Sequence, residues 1–375
     1  MIYYNSNTIN DWDYGTSNII KVYRNNNVCY YKIGTSPTPE PQYRTISGET
    51  YCSGQTGYDK YVDVYSQVSY DGGSTWETTA TTPTLVEADS PDCGYVRNYL
   101  RFIAKGTGTF TFTPKTGVAA GNVISYSLDS GSTWTSANTT STVQSGDVVF
   151  IKGENFGISS NGGIGTFSST ANFDVEGNAM SLLYGDNFEN QTSLSGKDYA
   201  FMNLFSGCTT IINAENLVLP ATTLSNYCYC NMFNRATKLV KAPSELPATT
   251  LGDACYMNMF YNCGAMTTVM DELPATTLAA SAYSQMFTAC SGFTTAPILP
   301  AAVITTYGYY RMFYNAKKVN SITCLALDKT AYNANGSFTY GVASSGTFTK
   351  HKDMTSWSRG NNGIPNNWTV VDYSG

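Results

Sequence analysis

One histidine, His351, is all the imidazole in this chain of 375 residues. A lone imidazole serves neither a multi-histidine metal site nor a nucleophilic triad, and no G-x-S-x-G string accompanies it. Charge is scarce too: charged residues make up 13%, the formal net charge is −6, and no basic run occurs. Duplex nucleic acid demands a concentrated positive face, so we expect no nucleic-acid partner. No apolar stretch approaches the roughly 18 residues of a spanning helix, so we expect no membrane insertion. The opening MIYYNSNTINDWDYG has no basic region followed by an apolar one, so no export signal is expected. C-x-x-C pairs are missing, since Cys228 and Cys230 stand one residue apart, and so are phosphate-cradling glycine loops between strand and helix. Glu154, Asp186 and Glu189 are carboxylates that a glycosidase pair would need, but they read more simply as solvated acids. From these absences we expect no enzyme, no cofactor and no metal.

What is present is a tyrosine-rich, polar chain with 29 Tyr and 33 Gly. Hydrophobic residues at 42%, with 14% aromatic, suffice for a packed core. The weakly charged surface is of the extracellular or virion-exposed kind. Ten cysteines are too sparse for a disulfide scaffold in a chain this long. Six of them fall in the repeats described next, where Cys acts as a small buried hydrophobe, so reduced thiols are expected there. Cys52 and Cys93 bracket a separate module, and their pairing is left open.

The string LPATTL occurs at 219–224, 246–251 and 273–278, and LPAAVI follows at 299–304, at intervals of 27, 27 and 26 residues. A second marker keeps step: Leu204-Phe205, Met232-Phe233, Met259-Phe260, Met286-Phe287 and Met312-Phe313. The period lies in the leucine-rich-repeat range. Within each unit, apolar residues such as Tyr256, Met259, Phe260 and Cys263 stand at i, i+3, i+4 and i+7, which predicts one face of a short helix. Another apolar anchor follows: Ile211, Leu239, Met266, Phe293 or Val319. Leu-Pro then turns the chain toward the next unit. One unit buries too little to stand alone, so the units must fold as a capped stack.

The expected architecture is multidomain: all-β modules, Ig-like or small sandwiches, followed by an α/β leucine-rich-repeat-like solenoid of about five 26–27-residue turns. Residues 1–34 read as a β-hairpin anchor, 35–45 as a Pro-rich linker, 46–98 as a Cys-bracketed β module and 99–155 as an Ig-like one. Residues 156–350 are the solenoid with its entry cap, and 351–375 a C-terminal cap. Each β module carries Ser-x-Asp-x-Gly-x-Thr-Trp, at 69–76 and 127–134, the Asp-box pattern of sialidase propellers. The residues themselves predict a hairpin turn, with Asp and Gly shaping it and Trp packing beneath.

The units CYMNMFYNCGAMTTV…ELPATTL and YSQMFTACSGFTTAPILPA resemble the BspA-like leucine-rich repeats of Bacteroidetes surface proteins and their phages. VEGNAMSLLYGDNF and SSGTFTKHKDMTSWSRGNNGIPNNWTVVD resemble the entry and exit segments of those proteins. The opening segment and the Cys52 module look like parts of structural proteins of crAss-like Bacteroides phages. The resemblance implies surface recognition or adhesion and brings no catalytic residues. The expected role is a phage virion appendage, a tail- or head-fibre or decoration protein. Residues 1–34 would contact other virion proteins, and the repeats a host-surface glycan or protein. A bacterial cell-surface adhesin and a purely architectural virion part are the alternatives, and a homo-oligomer such as a trimer is compatible with all three.

Comparing units locates candidate contacts. The position after each Phe varies (Ser206, Asn234, Tyr261, Thr288, Tyr314), so it is expected to be exposed. Tyr261, Tyr310 and Tyr314, with Arg235 and Arg311 in phase nearby, are the candidate ligand contacts. Phe205, Phe233, Phe260, Phe287 and Phe313, with Met232, Met259, Met286 and Met312, are the candidate repeat core.

Overall fold

In a computed structural model, the described residues are six strands before residue 97 and residues 97–374 apart from 116–122, 156–157, 161 and 356. The linker 35–45, the Cys52–Cys93 pairing and the turn of the first Asp-box copy lie outside them. Residues 1–97 and 98–375 form two compact units. In the first, β1 (Ile19–Arg24) and β2 (Asn27–Lys32) pair antiparallel with Arg24 opposite Asn27. β2 continues onto β4 (Gln67–Ser69) and β5 (Glu77–Thr78), while β3 (Tyr61–Val64) pairs with β6 (Thr84–Glu87).

The second unit begins as a sheet and continues as coils. β7 (Leu100–Ala104), β8 (Phe110–Pro114), β9 (Ser125–Ser127), β10 (Thr135–Ser136), β11 (Val148–Lys152), β12 (Gly165–Ser169) and β13 (Phe173–Asn178) come first. Alternation decides the inward face: Leu100, Phe102 and Ala104 of β7 are fully buried while the residues between them are not. The sheet order is β10-β9-β11-β7-β13, and β13 then pairs in parallel with β15 (Ile211–Asn213). Strands from 99–155 and from 156–350 thus share one sheet. Gly177 (φ 76°) makes that junction possible, because a Cβ there would collide with the Tyr99 carbonyl.

From β13 onward each coil lies on the last through parallel pairing. β14 (Ser193–Leu194) pairs with β17 (Thr223–Leu224), β16 (Leu217–Val218) with β13, and single parallel bridges continue these ladders, as at Lys241–Thr268 and Thr277–Val303. β18 (Ser321–Cys324), β19 (Thr347–Lys350) and β20 (Thr369–Asp372) close the stack as a parallel sheet. The result is a β-solenoid of about seven turns with almost no helix.

Two expectations are corrected here. The α/β repeat with a helix in every unit is not what forms: α1 (Ser181–Tyr184), before the first coil, is the one α-helix among the described residues. The i, i+3, i+4, i+7 faces are buried, yet their backbone runs through successive tight turns. The number of turns also exceeds five, because a coil at 331–342 continues the array without the Met-Phe marker. Backbone pairing puts Phe338 in phase with Met312, and Asn335 and Thr339 in phase with Tyr309 and Phe313. Those polar side chains bond the closing segment, Asn335 to the Asn362 carbonyl (2.5 Å) and Thr339 to that of Gly363 (2.8 Å). Trp357 stacks on Phe338 at 6.2 Å, and Trp368 donates its indole N–H to Ala343 O.

Candidate interaction face

The six segments 197–208, 225–236, 252–263, 279–290, 305–316 and 331–342 lie one above another as ribbons of overlapping turns. The second shows the pattern. Its Cys230, Met232, Asn234 and Ala236 N–H groups donate to the carbonyls three residues back, at 2.9–3.2 Å. The alternate N–H groups of Tyr227, Tyr229, Asn231, Phe233 and Arg235 donate to the next coil, to the carbonyls of Asp253, Cys255, Met257, Met259 and Tyr261, at 2.8–2.9 Å. The carbonyls of Asn226, Cys228, Cys230, Met232 and Asn234 accept from the coil before. Every backbone donor and acceptor along the ribbon's centre is therefore spent, half within the coil and half between coils.

This geometry needs a left-handed residue at every fourth position: Tyr227 (56°), Asn231 (55°) and Arg235 (61°), then Ala254, Asn258 and Asn262, and later Tyr307, Arg311 and Asn315. Asn and Gly tolerate that conformation best, and they recur there at Asn203, Gly207, Asn231, Asn258, Asn262, Asn315 and Gly341. The first two side chains after the first two left-handed positions of each coil point inward. Phe205, Phe233, Phe260, Phe287 and Phe313 are fully buried and stack in a column at 5.3–5.8 Å with ring planes within 14° of parallel. Met232, Met259, Met286 and Met312 are equally inaccessible. Phe201, Tyr229, Tyr256, Tyr283 and Tyr309 make a second column. The hydroxyls of Tyr229, Tyr256 and Tyr283 are buried without a hydrogen-bond partner, so their aromatic bulk is what the column uses.

The seven described cysteines are all buried, unpaired thiols. Burial pushes Cys228, Cys230, Cys290 and Cys324 up to about 12, and holds Cys255 and Cys263 well above the usual thiol range. Cys263 and Cys290 donate their S–H groups to the Phe233 and Phe260 carbonyls of the preceding coil.

The outward columns carry the candidate contacts. One runs Met202, Cys230, Met257, Ser284, Tyr310, Gly336, with Cys230 and Ser284 buried; the next Asn203, Asn231, Asn258, Gln285, Arg311, Ser337; the third Ser206, Asn234, Tyr261, Thr288, Tyr314, Tyr340. The third column was expected to be exposed, but Ser206, Asn234, Tyr261 and Tyr314 are half-buried and Thr288 is buried. On a flat ribbon each side chain leans on its neighbours in the coils above and below.

Tyr310, Tyr314 and Arg311 come together. The guanidinium carbon lies 5.1 Å from the Tyr310 ring centre and 5.2 Å from that of Tyr314. Tyr261 and Arg235 do not join them. The Arg235 N–H bonds the Tyr261 carbonyl one coil on, and a further whole coil, with Thr288 in the Tyr phase, separates Tyr261 from Tyr314. At about 4.8 Å per coil that is roughly 10 Å. Residues overlooked in the sequence complete the cluster. Tyr340 stacks on Tyr314 at 4.9 Å, and Tyr307 meets both Tyr310 and Tyr332 edge-on. Tyr340 was findable as a Tyr in phase with Tyr314, but its coil lacks the marker that sets the phase.

Elsewhere the second Asp-box copy is a hydrogen-bonded turn. Asp129 accepts from the Thr133 N–H (2.8 Å) and hydroxyl (2.6 Å) and from the Ser127 hydroxyl (2.7 Å). Slight burial raises its pKa, but these bonds outweigh it and hold the carboxyl below 3.8. Trp134 packs edge-on against Tyr99 at 4.9 Å beneath the turn, with the Lys152 ammonium over its ring. Asp186 pairs with Lys152 at 2.8 Å and accepts from the Tyr99 hydroxyl. His351 accepts from the Asp353 N–H. Among the described residues no three His, Cys, Asp or Glu side chains converge as metal ligands, and no helix is long and apolar enough to cross a membrane.

No protein-family model, no curated protein and no solved structure matches this chain.

Proposed function

We propose that this protein is a non-enzymatic phage virion appendage whose coiled repeats recognise the host surface. The observation that carries the reading is the division of labour within each ribbon. The backbone and inward columns repeat from coil to coil, while the outward columns change residue and gather tyrosine and arginine at one end. Side chains that vary on a constant frame, and are not needed for stacking, are the ones free to specify a partner. Aromatic rings offer rigid contact area at low entropic cost, and arginine adds directed donors. The segments that resemble Bacteroidetes surface repeats and crAss-like phage structural proteins support a place on a virion. Residues 1–34 then serve as the attachment to other virion proteins.

Two measurements test the reading. Mass spectrometry of purified virions should find the chain as a component. Fluorescently labelled full-length protein should bind host Bacteroides cells, and the Tyr261→Ala/Tyr310→Ala/Tyr314→Ala variant should keep its melting profile and lose most of that binding. Absence from virions, or undiminished binding by the folded variant, would refute the respective half.

A further inference from the structure

We propose that Arg311 and its flanking tyrosines form a carboxylate-binding subsite for an acidic saccharide. This rests on reading the outward columns as a recognition face and names the ligand chemistry of that face.

Three observations carry it. Arg311 stands at a left-handed position (φ 51°) that other coils fill with Asn203, Asn231, Asn258, Gln285 and Ser337, so a long cation is held where the fold asks for a small amide. Its guanidinium also lacks an acceptor. Arg101 pairs with Glu176 and Arg359 caps the Pro365 and Trp368 carbonyls, but no hydrogen bond or ion pair reaches the Arg311 side chain among the described residues. The Arg311 Nε is buried without a partner. Charge provides the third observation. Within a chain of net charge −6, residues 273–350 hold Arg311, Lys317, Lys318 and Lys329 with one acid, Asp328, besides Lys350, which pairs with Asp372.

A half-buried guanidinium without an acceptor suits a carboxylate, which takes two of its N–H groups at once. The surroundings favour a sugar over an acidic peptide. A peptide adding as a strand needs free backbone N–H and C=O groups, and the coil that carries Arg311 has spent its N–H groups from Tyr307 to Ala316. What remains is ring surface and hydroxyls at Tyr307, Tyr310, Tyr314, Tyr332 and Tyr340, which suit the apolar face and hydroxyl rim of a pyranose.

The test is calorimetric titration of the full chain with three carboxylate sugars: tetragalacturonate, a hyaluronate tetrasaccharide and sialyllactose. The methyl ester of tetragalacturonate and a hexaglutamate peptide are the controls. At least one acidic sugar should bind saturably, and Arg311→Asn, with the column's commonest residue, should weaken it about tenfold or more without lowering the melting temperature. Arg311→Lys should fall between, keeping charge but not the planar fork. Esterification should abolish tetragalacturonate binding if that is the sugar taken. No saturable binding to any acidic sugar, equal binding by Arg311→Asn, or preference for hexaglutamate overturns the proposal. If labelled protein still binds cells while all three sugars fail, this inference alone falls; if it binds no cells, the recognition reading falls as well.

Discussion

Two regions of the unit 98–375 pack aromatic rings in opposite ways. Where the sheets at its start face each other, Phe102, Phe110, Phe112, Phe167 and Phe173 meet at about 5 Å with ring planes 47–89° apart. In the coils, Phe205 through Phe313 sit only slightly farther apart, with planes 5–14° from parallel. The residues are the same, so the difference lies in how the backbone delivers them. The two sheets bring their rings in from strands of differing direction, and they settle tilted or edge-to-face. A solenoid repeats by translation, so each side chain inherits the orientation of the one beneath it. Each ring is floor to one neighbour and roof to another. The coils have no private cores, only shared columns.

The largest expected effect follows from that sharing. Phe260→Ala removes a ring that touches both Phe233 and Phe287 and should cost about 3–5 kcal/mol in equilibrium denaturation. An unchanged transition would mean that the columns do not hold the coils together.

A smaller effect separates the regions by pH. The coils bury thiols pushed up to about 12 and tyrosines pushed well above 10, and burial is the leading cause in each. These folded-state values lie above the unfolded ones, so their contribution is fully present below pH 9 and is lost as pH rises from about 9 toward about 12. The β7–β13 sheet buries no cysteine. Melting followed by tyrosinate absorbance should therefore show the coils failing first in alkali. A melting temperature flat from pH 8 to 11 would contradict the burial.

The sequence showed the stack, its period and its buried phase, because two markers repeating at 26–28 residues leave little freedom. It did not show the path of the backbone within a repeat. Over eight residues a four-residue turn period and a 3.6-residue helix period differ by only about 40° per turn, so Tyr256, Met259, Phe260 and Cys263 satisfy both. The discriminating signal was present in the residues between them. Asn203, Asn231, Asn258, Asn262 and Asn315 recur where the chain turns left-handed, and asparagine is an indifferent helix former. The Arg311 cluster was half legible for a related reason. Tyr310 and Tyr314 could be phased from the Met-Phe marker, but Tyr332 and Tyr340 sit in a coil that has lost it.

The most direct test of the overlapping-turn ribbon is the stability change on Ala289→Gly. Ala289 lies at φ 58° in the fourth coil, half-buried, with its N–H bonded to the Tyr314 carbonyl. In the ribbon, glycine relieves a left-handed strain that more than offsets its greater freedom when unfolded, so stability should rise by up to about 1 kcal/mol. In a helix the same substitution would lower it by about 1 kcal/mol, and that result would contradict the ribbon.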